Sequence, residues 1–484
     1  MSFRQRQRQP PQSVLGRRQR NAARTSLYVS LALVAALVAA VYLWMVPRFD
    51  FGLMTEWSRT DWGSLREVQL LREYVAIDTS PSGEAAAGTR WFADRLRRLG
   101  LSPVVEEVGG EANAWAILEG EERGAVVLHH HVDVESVPVG EHWFKDAFSG
   151  EIDGPWMYGR GTFDMKSVAI AQLLAVEKLL AELDGRRPRR SLIVLATTGE
   201  EHGSDLGTRW VVQQHPELVE RFEVVLTEGG AVEGRTRESF KYWGTEVAQK
   251  RLVVVEICGA AREPLAELER DMRRTGGYFT EPELVPEVER FMRSYAPTRD
   301  ARHLRQALGD PRALFLDRAT FESLSSYLKG YFRNVAVPQG LFENEDGWRL
   351  RIHLLLLPGA APERVVSELL PPWTHHALAM SAYEDGGAFA GSSPDHWAFH
   401  TIQGLIGRRF PGVEHGPLVL PSTITDARFL RAAGVTTFGF SPFNVLTPEV
   451  TQLRHYGTVN ERIELPGYVS GVELYGELLS RLVE

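Results

Sequence analysis

Segments with a strand pattern alternate with segments with a helix pattern between residues 65 and 226, and few folds accommodate such an alternation. Short apolar and β-branched runs predict strands, and apolar residues at helical spacing predict helices. The predicted strands are 125–128, 192–197 and 222–226, and the predicted helices are 65–77, 86–99, 165–183 and 208–219. We therefore expect an α/β domain with a doubly wound, mixed sheet.

The pattern changes after residue 240. Strand-like segments at 252–257 and 348–357 flank a highly charged, helical stretch that contains prolines. We predict that residues 241–365 form a smaller, inserted α+β domain that acts as a lid or pairs two chains. Residues 366–484 then return to the first sheet through a strand at 435–440 and a terminal helix at 468–483. The main domain thus has two parts, 65–240 and 366–484.

The N-terminal segment predicts a membrane anchor. Residues 1–25 form a basic tail, in which residues 1–24 hold seven arginines and no acidic residue, and residues 26–46 are apolar and uncharged. About 20 apolar residues span a bilayer as a helix, and flanking arginines stay cytoplasmic. The body after the 47–64 linker would then be extracytoplasmic. A cleaved signal peptide is the alternative, although its apolar region is usually only about 7–15 residues long.

Charge and cysteine content exclude several functional classes. The net charge of −9 argues against nucleic-acid binding by the main body. The single cysteine, Cys258, excludes a disulfide framework and a thiolate-rich metal site. Any metal ion would therefore be bound by histidine and carboxylate side chains.

Potential metal ligands follow the predicted strands directly. The sequence places His131 and Asp133 after the first strand, Glu200 and Glu201 after the second, Glu228 after the third, and Asp164 just before the long helix. In open α/β sheets, ligands bind beyond the carboxyl ends of the strands, so these side chains point to one crevice. Histidine and carboxylates without thiolates suit zinc, manganese or cobalt in a catalytic site.

Each of these signals also has a structural interpretation. Histidines 129–131 could be an exposed strand end, and Glu200-Glu201 could be a solvated turn. Glu228 could open a turn, and Asp164 could cap the following helix. Only their joint order and spacing favours a metal site.

That order and spacing resembles the zinc-dependent metallopeptidase family of aminoacylase, glutamate carboxypeptidase and carboxypeptidase S. The likeness is greatest to its N-acyl amino acid hydrolase and carboxypeptidase S branch. The matching stretches are His131-Val132-Asp133-Val134, Phe148-Ser149-Gly150, Asp153-Gly154, 158–166, Glu200-Glu201, Thr227-Glu228-Gly229-Gly230, Thr425-Asp426-Ala427-Arg428 and Asn460-Glu461-Arg462-Ile463. The resemblance covers roughly residues 65–484; it is specific in the two parts of the main domain and thin across the inserted one.

The resemblance implies a role for each matching residue. Asp164 would bridge two divalent ions, expected to be zinc, with manganese or cobalt as alternatives. His131 and Glu228 would complete one metal site, and Glu201 and His455 the other, with His415 as a substitute for His455. Asp133 would orient the His131 ring through its second nitrogen. Glu200 would be the general base, taking a proton from the attacking water and returning it to the leaving amine.

The same pattern leaves two alternatives for the substrate contacts. Arg428 could hold a substrate carboxylate or form an ion pair with Asp426. The family's lid histidine is missing, because residues 259–262 read Gly-Ala-Ala-Arg, so Arg262 or another donor would have to stabilise the oxyanion. The family's late insert arginine is displaced to Arg351.

The predicted function is hydrolysis of an amide bond in N-acyl amino acids or small peptides. Two other classes fit some of the same residues. A catalytically impaired module that binds metal or small carboxylates would explain the missing histidine, and a dizinc phosphodiesterase would use similar ligands. The predicted partners are a small-molecule or peptide substrate, the membrane and a second copy of the chain.

Overall fold

The computed structural model describes residues 60–138, 140–234, 240–345, 347–381, 391–443 and 458–484. The basic tail and the apolar segment 26–46 lie outside this part of the chain. None of the helices within it combines the length and hydropathy that a bilayer span requires.

The described residues alternate between strands and helices along most of the chain. The strands are β1 (Val104–Val108), β2 (Glu111–Leu118), β3 (Glu122–His131), β4 (Glu151–Asp153), β5 (Trp156–Tyr158), β6 (Arg190–Thr197), β7 (Phe222–Thr227), β8 (Ala231–Gly234), β9 (Phe240–Gln249), β10 (Arg251–Gly259), β11 (Tyr278–Phe279), β12 (Val335–Asn344), β13 (Gly347–Leu356), β14 (Leu378–Ser381), β15 (Glu414–Leu420), β16 (Thr436–Gly439) and β17 (Arg462–Glu464). The α-helices are α1 (Arg66–Val75), α2 (Ala85–Arg98), α3 (Lys166–Leu183), α4 (Thr208–Gln214), α5 (Pro216–Val219), α6 (Arg262–Thr275), α7 (Pro286–Tyr295), α8 (Arg302–Gly309), α9 (Pro311–Leu314), α10 (Arg318–Ser323), α11 (Ser326–Gly330), α12 (Pro362–Leu369), α13 (Trp397–Arg409), α14 (Ala427–Ala432) and α15 (Leu465–Val483). Short 3-10 turns occupy Trp62–Ser64, Glu200–His202, Ala296–Thr298 and Pro372–Ala377.

A large mixed sheet forms the main layer. Its order is β1-β2-β6-β3-β7-β16-β9-β15, with β8 paired to β9. The central strands β6, β3, β7 and β16 run parallel, and β1 and β2 extend the sheet in antiparallel fashion. The predicted strands at 125–128, 192–197, 222–226 and 435–440 fall in these central positions. The expectation of a mixed α/β sheet is therefore confirmed.

Helices cover both faces of the large sheet. On one face Val127, Ile193 and Val225 belong to a buried apolar cluster with Val211 of α4 and Leu430 of α14. On the other face α3 packs against α15 and α1. Gln172 of α3 joins the layers there, because its amide donates to the carbonyl of His129 and to the hydroxyl of Tyr475. The central strands thus lie between two helical layers, with their carboxyl ends at one edge of the sheet.

A second, antiparallel sheet has the order β11-β12-β13-β10-β14. Alternate residues of its strands are buried against α6 and α12, including Val255, Ile352 and Leu354. The second sheet does not have the bounds of the predicted insert, 241–365. At the first end, β9 pairs with β15 and β16 and so belongs to the large sheet. At the other end, β14 extends the second sheet to Ser381. The helices α7 to α11 lie in sequence between β11 and β12.

Candidate metal centre

Three neighbouring parallel strands carry the candidate ligands. The order β6-β3-β7 places β3 in the middle, and His131 at its end is in register with Thr197 of β6. Glu200 and Glu201 form the 3-10 turn that follows β6, and Glu228 follows β7 directly. The parallel strands end at the same edge of the sheet, so these side chains are brought to one place.

His131, Asp164 and Glu228 form a compact cluster. The Nε2 atom of His131 lies 3.2 Å from Oδ1 of Asp164 and 3.7 Å from Oε2 of Glu228. One potential ligand atom from each residue lies within 4.8 Å of the other two. Burial, together with the charge of Asp164, raises the pKa of Glu228 to about 7. Burial lowers the pKa of His131, but Glu228, Asp133 and Asp164 raise it well above its usual value. Crowded acidic groups of this kind favour a cation among them.

Glu200 and Glu201 lie beside this cluster in the same cavity. Burial is the main reason that the pKa of each is raised, with the charge of Glu228 acting on Glu200 and that of Asp164 on Glu201. Within the described residues, the Glu201 carboxylate has neither an ion pair nor a hydrogen bond. Its oxygen atoms therefore have no protein partner there, although the charge of Asp164 acts on them.

Asp133 contacts both His131 and the Glu200-Glu201 turn. The ring of His131 is held by the main-chain carbonyl of Asp133, which accepts from Nδ1 at 2.9 Å, whereas the nearer carboxylate oxygen is 3.6 Å away. The buried Asp133 carboxylate instead accepts the backbone N–H groups of Glu200 and Glu201 at 3.2 and 3.1 Å. Asp133 therefore joins the first ligand strand to the Glu200-Glu201 turn.

Glu461 holds the segment that presents Asp164, a role that the sequence analysis missed. Its Oε1 accepts the backbone N–H groups of Phe163 and Asp164, and its Oε2 pairs with Arg160 at 3.0 Å. Both charged side chains are almost fully buried. The signal was present, because Glu461 lies in one of the stretches that resemble the family, but no role was assigned to it.

Arg428 lines the cavity and is only 3% exposed. Its Nη1 donates to the carbonyl of Thr425 at 2.8 Å and lies 3.8 Å from Oε1 of Glu200. Within the described residues, its Nε and Nη2 atoms have no hydrogen-bond acceptor. The alternative ion pair with Asp426 is not formed, because the Asp426 carboxylate accepts the hydroxyl groups of Ser204 and Thr208. Two guanidinium donors therefore remain for a ligand.

Other expected participants lie elsewhere. His455 falls outside the described residues, so its role stays a prediction. His415 is on β15, where its Nδ1 contacts Gln403 of α13, and it is not among the residues that line the cavity. Arg262 lies 5.4 Å from the ring of Trp348, and Arg351 pairs with Glu256. Neither arginine lines the cavity of its own chain, so neither replaces the missing lid histidine there.

His129 and His130 are structural residues rather than ligands. His129 lies within hydrogen-bond distance of Thr197, Thr208 and Thr227, and burial lowers its pKa to about 4. His130 contacts Gln172 on the opposite face of the sheet, and burial lowers its pKa to about 3. The alternative interpretation, an exposed strand end, is thus excluded for all three histidines, since His131 is buried as well.

The chain was compared with known proteins. Residues 127–481 match the model of peptidase family M20/M25/M40. Aminoacylase-1 of Sus scrofa is 27% identical over 436 residues, which cover 87% of this chain and 96% of the relative. Among solved structures, the M20 metallo-carboxypeptidase Sso-CP2 of Sulfolobus solfataricus has a TM-score of 0.62 at 16% identity, covering 86% of this chain and 99% of its own. Human carnosine dipeptidase 1 has a TM-score of 0.59 at 16% identity, with coverages of 86% and 96%.

The structural neighbours share the fold, and the family model together with the full-length relatives shows the relationship. The predicted aminoacylase and carboxypeptidase resemblance is confirmed, as is the prediction of a metal-dependent hydrolase. The chain belongs to peptidase family M20/M25/M40 and is a metallohydrolase.

Proposed function

We propose that this enzyme cleaves the amide bond of N-acyl amino acids or small peptides. The observation that carries the proposal is the cavity that unites a three-residue metal cluster, the adjacent Glu200-Glu201 pair and an arginine with unused donors. Relatives that cover nearly the whole chain are aminoacylases, whose name denotes the same reaction.

Two divalent ions fit this donor set, and zinc is the expected metal, with manganese or cobalt as alternatives. His131, Asp164 and Glu228 would hold one ion; Asp164 would bridge to a second, held also by Glu201 and His455. The fit follows from charge, because the carboxylates of Asp164, Glu200, Glu201 and Glu228 lie close together beside His131 and Arg428. The ions would lower the pKa of the attacking water and polarise the scissile carbonyl.

Glu200 would carry the proton. Its carboxylate adjoins the ligand cluster, and its backbone is fixed by Asp133, so its position does not depend on binding an ion. It would accept a proton from the attacking water and donate it to the departing amine nitrogen. Arg428 would bind the substrate carboxylate through Nε and Nη2, because a guanidinium presents parallel donors to a carboxylate.

The test is Glu200→Gln, assayed on a panel of N-acyl amino acids and dipeptides with metal content measured in parallel. We expect kcat to fall by roughly a hundred- to ten-thousand-fold while bound metal is unchanged. Glu220→Gln, an exposed position, is the matched control and should behave like the parent enzyme. A Glu200→Gln enzyme that turns over within threefold of the parent would refute the proposed base.

A second candidate, a module that binds metal or small carboxylates without efficient turnover, is favoured by one observation. The stretch 259–262 lacks the family's lid histidine, and its Arg262 does not line the cavity of its own chain. Calorimetric titration with N-acyl amino acids separates the two, because tight binding without product would support the module.

Two predictions about assembly rest on sequence alone. An anchor at residues 26–46 would keep the full-length protein in the membrane fraction after alkaline carbonate washing, whereas release would contradict it. A dimer formed through the inserted domain would give twice the chain mass in light scattering of the fragment that begins at residue 47.

A further inference from the structure

The cavity that contains the metal cluster extends well beyond it. Its volume is about 690 Å³. At roughly 30 Å³ per water molecule, it has room for about twenty water-sized groups, whereas N-acetylalanine has about nine non-hydrogen atoms. Along the chain, Glu228 leads through Gly230 and Ala231 to Glu233, and all four residues line the same cavity. The cavity is therefore larger than a small N-acyl amino acid requires.

Two groups of apolar residues line this extension. Phe291 and Tyr295 belong to α7, and Tyr327 and Tyr331 come from α11 and the residue after it. Leu252, Val337 and Leu355 lie on β10, β12 and β13, and Leu252 is directly opposite Leu355 in the second sheet. We call the part of the cavity lined by these seven residues the apolar chamber.

The tyrosine hydroxyl groups of the chamber are bound to the protein. The hydroxyls of Tyr327 and Tyr331 lie 2.6 Å apart, and that of Tyr295 donates to the Glu233 carboxylate. Tyr242, which also lines the cavity, donates to the carbonyl of Pro417. Because these polar atoms already have partners, the rings offer a ligand mainly apolar surface.

The charges at this end are paired as well. Glu233 lies 2.8 Å from Nζ of Lys241 and 3.0 Å from Nη2 of Arg299. Two polar side chains, His353 and Gln339, also line the cavity, and burial together with Arg351 lowers the pKa of His353. His353 is therefore neutral at neutral pH. A charged substrate terminus would lose its hydration here without gaining a counter-ion.

We propose that the apolar chamber binds the acyl chain of the substrate and selects N-acyl amino acids with medium or long aliphatic acyl groups over acetylated ones. The inference rests on the proposed amide hydrolysis, which places the scissile carbonyl at the metal cluster and the substrate carboxylate at Arg428. The acyl chain then extends into the chamber.

The test is an acyl series on one amino acid, from acetyl through butanoyl and hexanoyl to octanoyl. A buried methylene contributes roughly 0.8 kcal/mol, so kcat/KM should rise two- to fourfold per methylene and at least about fiftyfold from acetyl to octanoyl. Equal rates for acetyl and octanoyl substrates would overturn the chamber while leaving the proposed hydrolysis intact.

Binding to the Glu200→Gln enzyme gives a readout that is independent of turnover. Its dissociation constants for the same series should fall with chain length. If the parent enzyme cleaves no member but binding still tightens along the series, the chamber stands and the proposed hydrolysis fails. A flat binding series overturns the chamber whatever the turnover.

Two variants locate the effect. Leu355→Gln introduces an amide into the chamber and should reduce the octanoyl-to-acetyl ratio at least fivefold. Tyr327→Ala, at a partly exposed residue, should reduce the same ratio and serves if the first variant folds poorly. Leu316→Gln is the matched control, because Leu316 is 90% exposed and does not line the cavity. An unchanged ratio in both chamber variants would overturn the assignment.

Discussion

Replacing Asp133 by asparagine tests how the two halves of the metal centre are held together. The Asp133 carboxylate, 4% exposed, accepts two backbone N–H groups from the Glu200-Glu201 turn. Burial raises the pKa of Asp133, but the contact of its carboxylate with His131, the His131 charge and these two bonds outweigh that effect and lower it. An asparagine oxygen can accept one N–H well and leaves the second facing an amide NH₂ group.

The cost can be estimated from the lost bond. A hydrogen bond to a charged group contributes roughly 1.5–3 kcal/mol, and the remaining bond is weakened because the acceptor becomes neutral. We therefore expect Asp133→Asn to lower the free energy of unfolding by about 2–4 kcal/mol. Metal affinity or kcat/KM should fall roughly 10- to 100-fold, as is typical when a partner that orients ligands is lost.

Urea unfolding and steady-state kinetics on the same preparations measure both effects. Asp146→Asn is the matched control, because Asp146 is exposed and also accepts a backbone N–H, from Phe148. It should cost less than about 1 kcal/mol. An Asp133→Asn enzyme with unchanged unfolding and unchanged kinetics would refute the assigned role.

Three further predictions concern buried charges. Glu246→Gln should lower the free energy of unfolding by about 3 kcal/mol or more, because it breaks a buried ion pair in which both guanidinium Nη atoms of Arg431 donate to the Glu246 carboxylate. Urea unfolding measures this change, and a loss of stability below about 1 kcal/mol would count against the prediction. Burial lowers the pKa of Lys250 to about 7 in the folded protein. Between pH 7 and 10 the unfolded chain therefore binds more protons at Lys250 than the folded chain does, and the free energy of unfolding rises with pH by up to roughly 1.4 kcal/mol per pH unit. Lys250→Met should lack that component in unfolding curves at pH 7, 8 and 9, and identical slopes would exclude it. Arg428→Ala should weaken binding of a substrate carboxylate about tenfold or more relative to the corresponding amide, whereas equal losses for both ligands would contradict carboxylate recognition.

The centre of the fold was predictable because its signals are local. Strands β3, β6 and β7 each contain a short, buried apolar run, and histidine and carboxylates lie at or just after their ends. Parallel pairing then places His131, Glu201 and Glu228 at one edge without further information. Antiparallel β1 was not predicted, because it is an edge strand whose glutamates and partial exposure do not resemble a buried run.

Tertiary contacts explain most of what was missed. Nothing in the sequence distinguishes the Asp133 carboxylate, which binds the Glu200-Glu201 turn, from the Asp133 carbonyl, which holds His131. The apolar chamber joins Phe291, Tyr331 and Leu355 from separate elements, so no local pattern identifies it. The predicted insert begins at residue 241, whereas the second sheet begins with β10. Strands β9 and β10 follow each other directly in sequence and separate at Lys250 into different sheets, so no local pattern marks the change.

Metal stoichiometry of the purified fragment beginning at residue 47 tests the central claim most directly. Mass spectrometry of the dialysed protein, in parallel with His131→Ala and Glu201→Gln variants, should find close to two zinc, manganese or cobalt ions per parent chain and fewer in each variant. A parent protein that holds no divalent ion even after incubation with these metals, or variants that hold as much as the parent, would contradict a two-metal hydrolase.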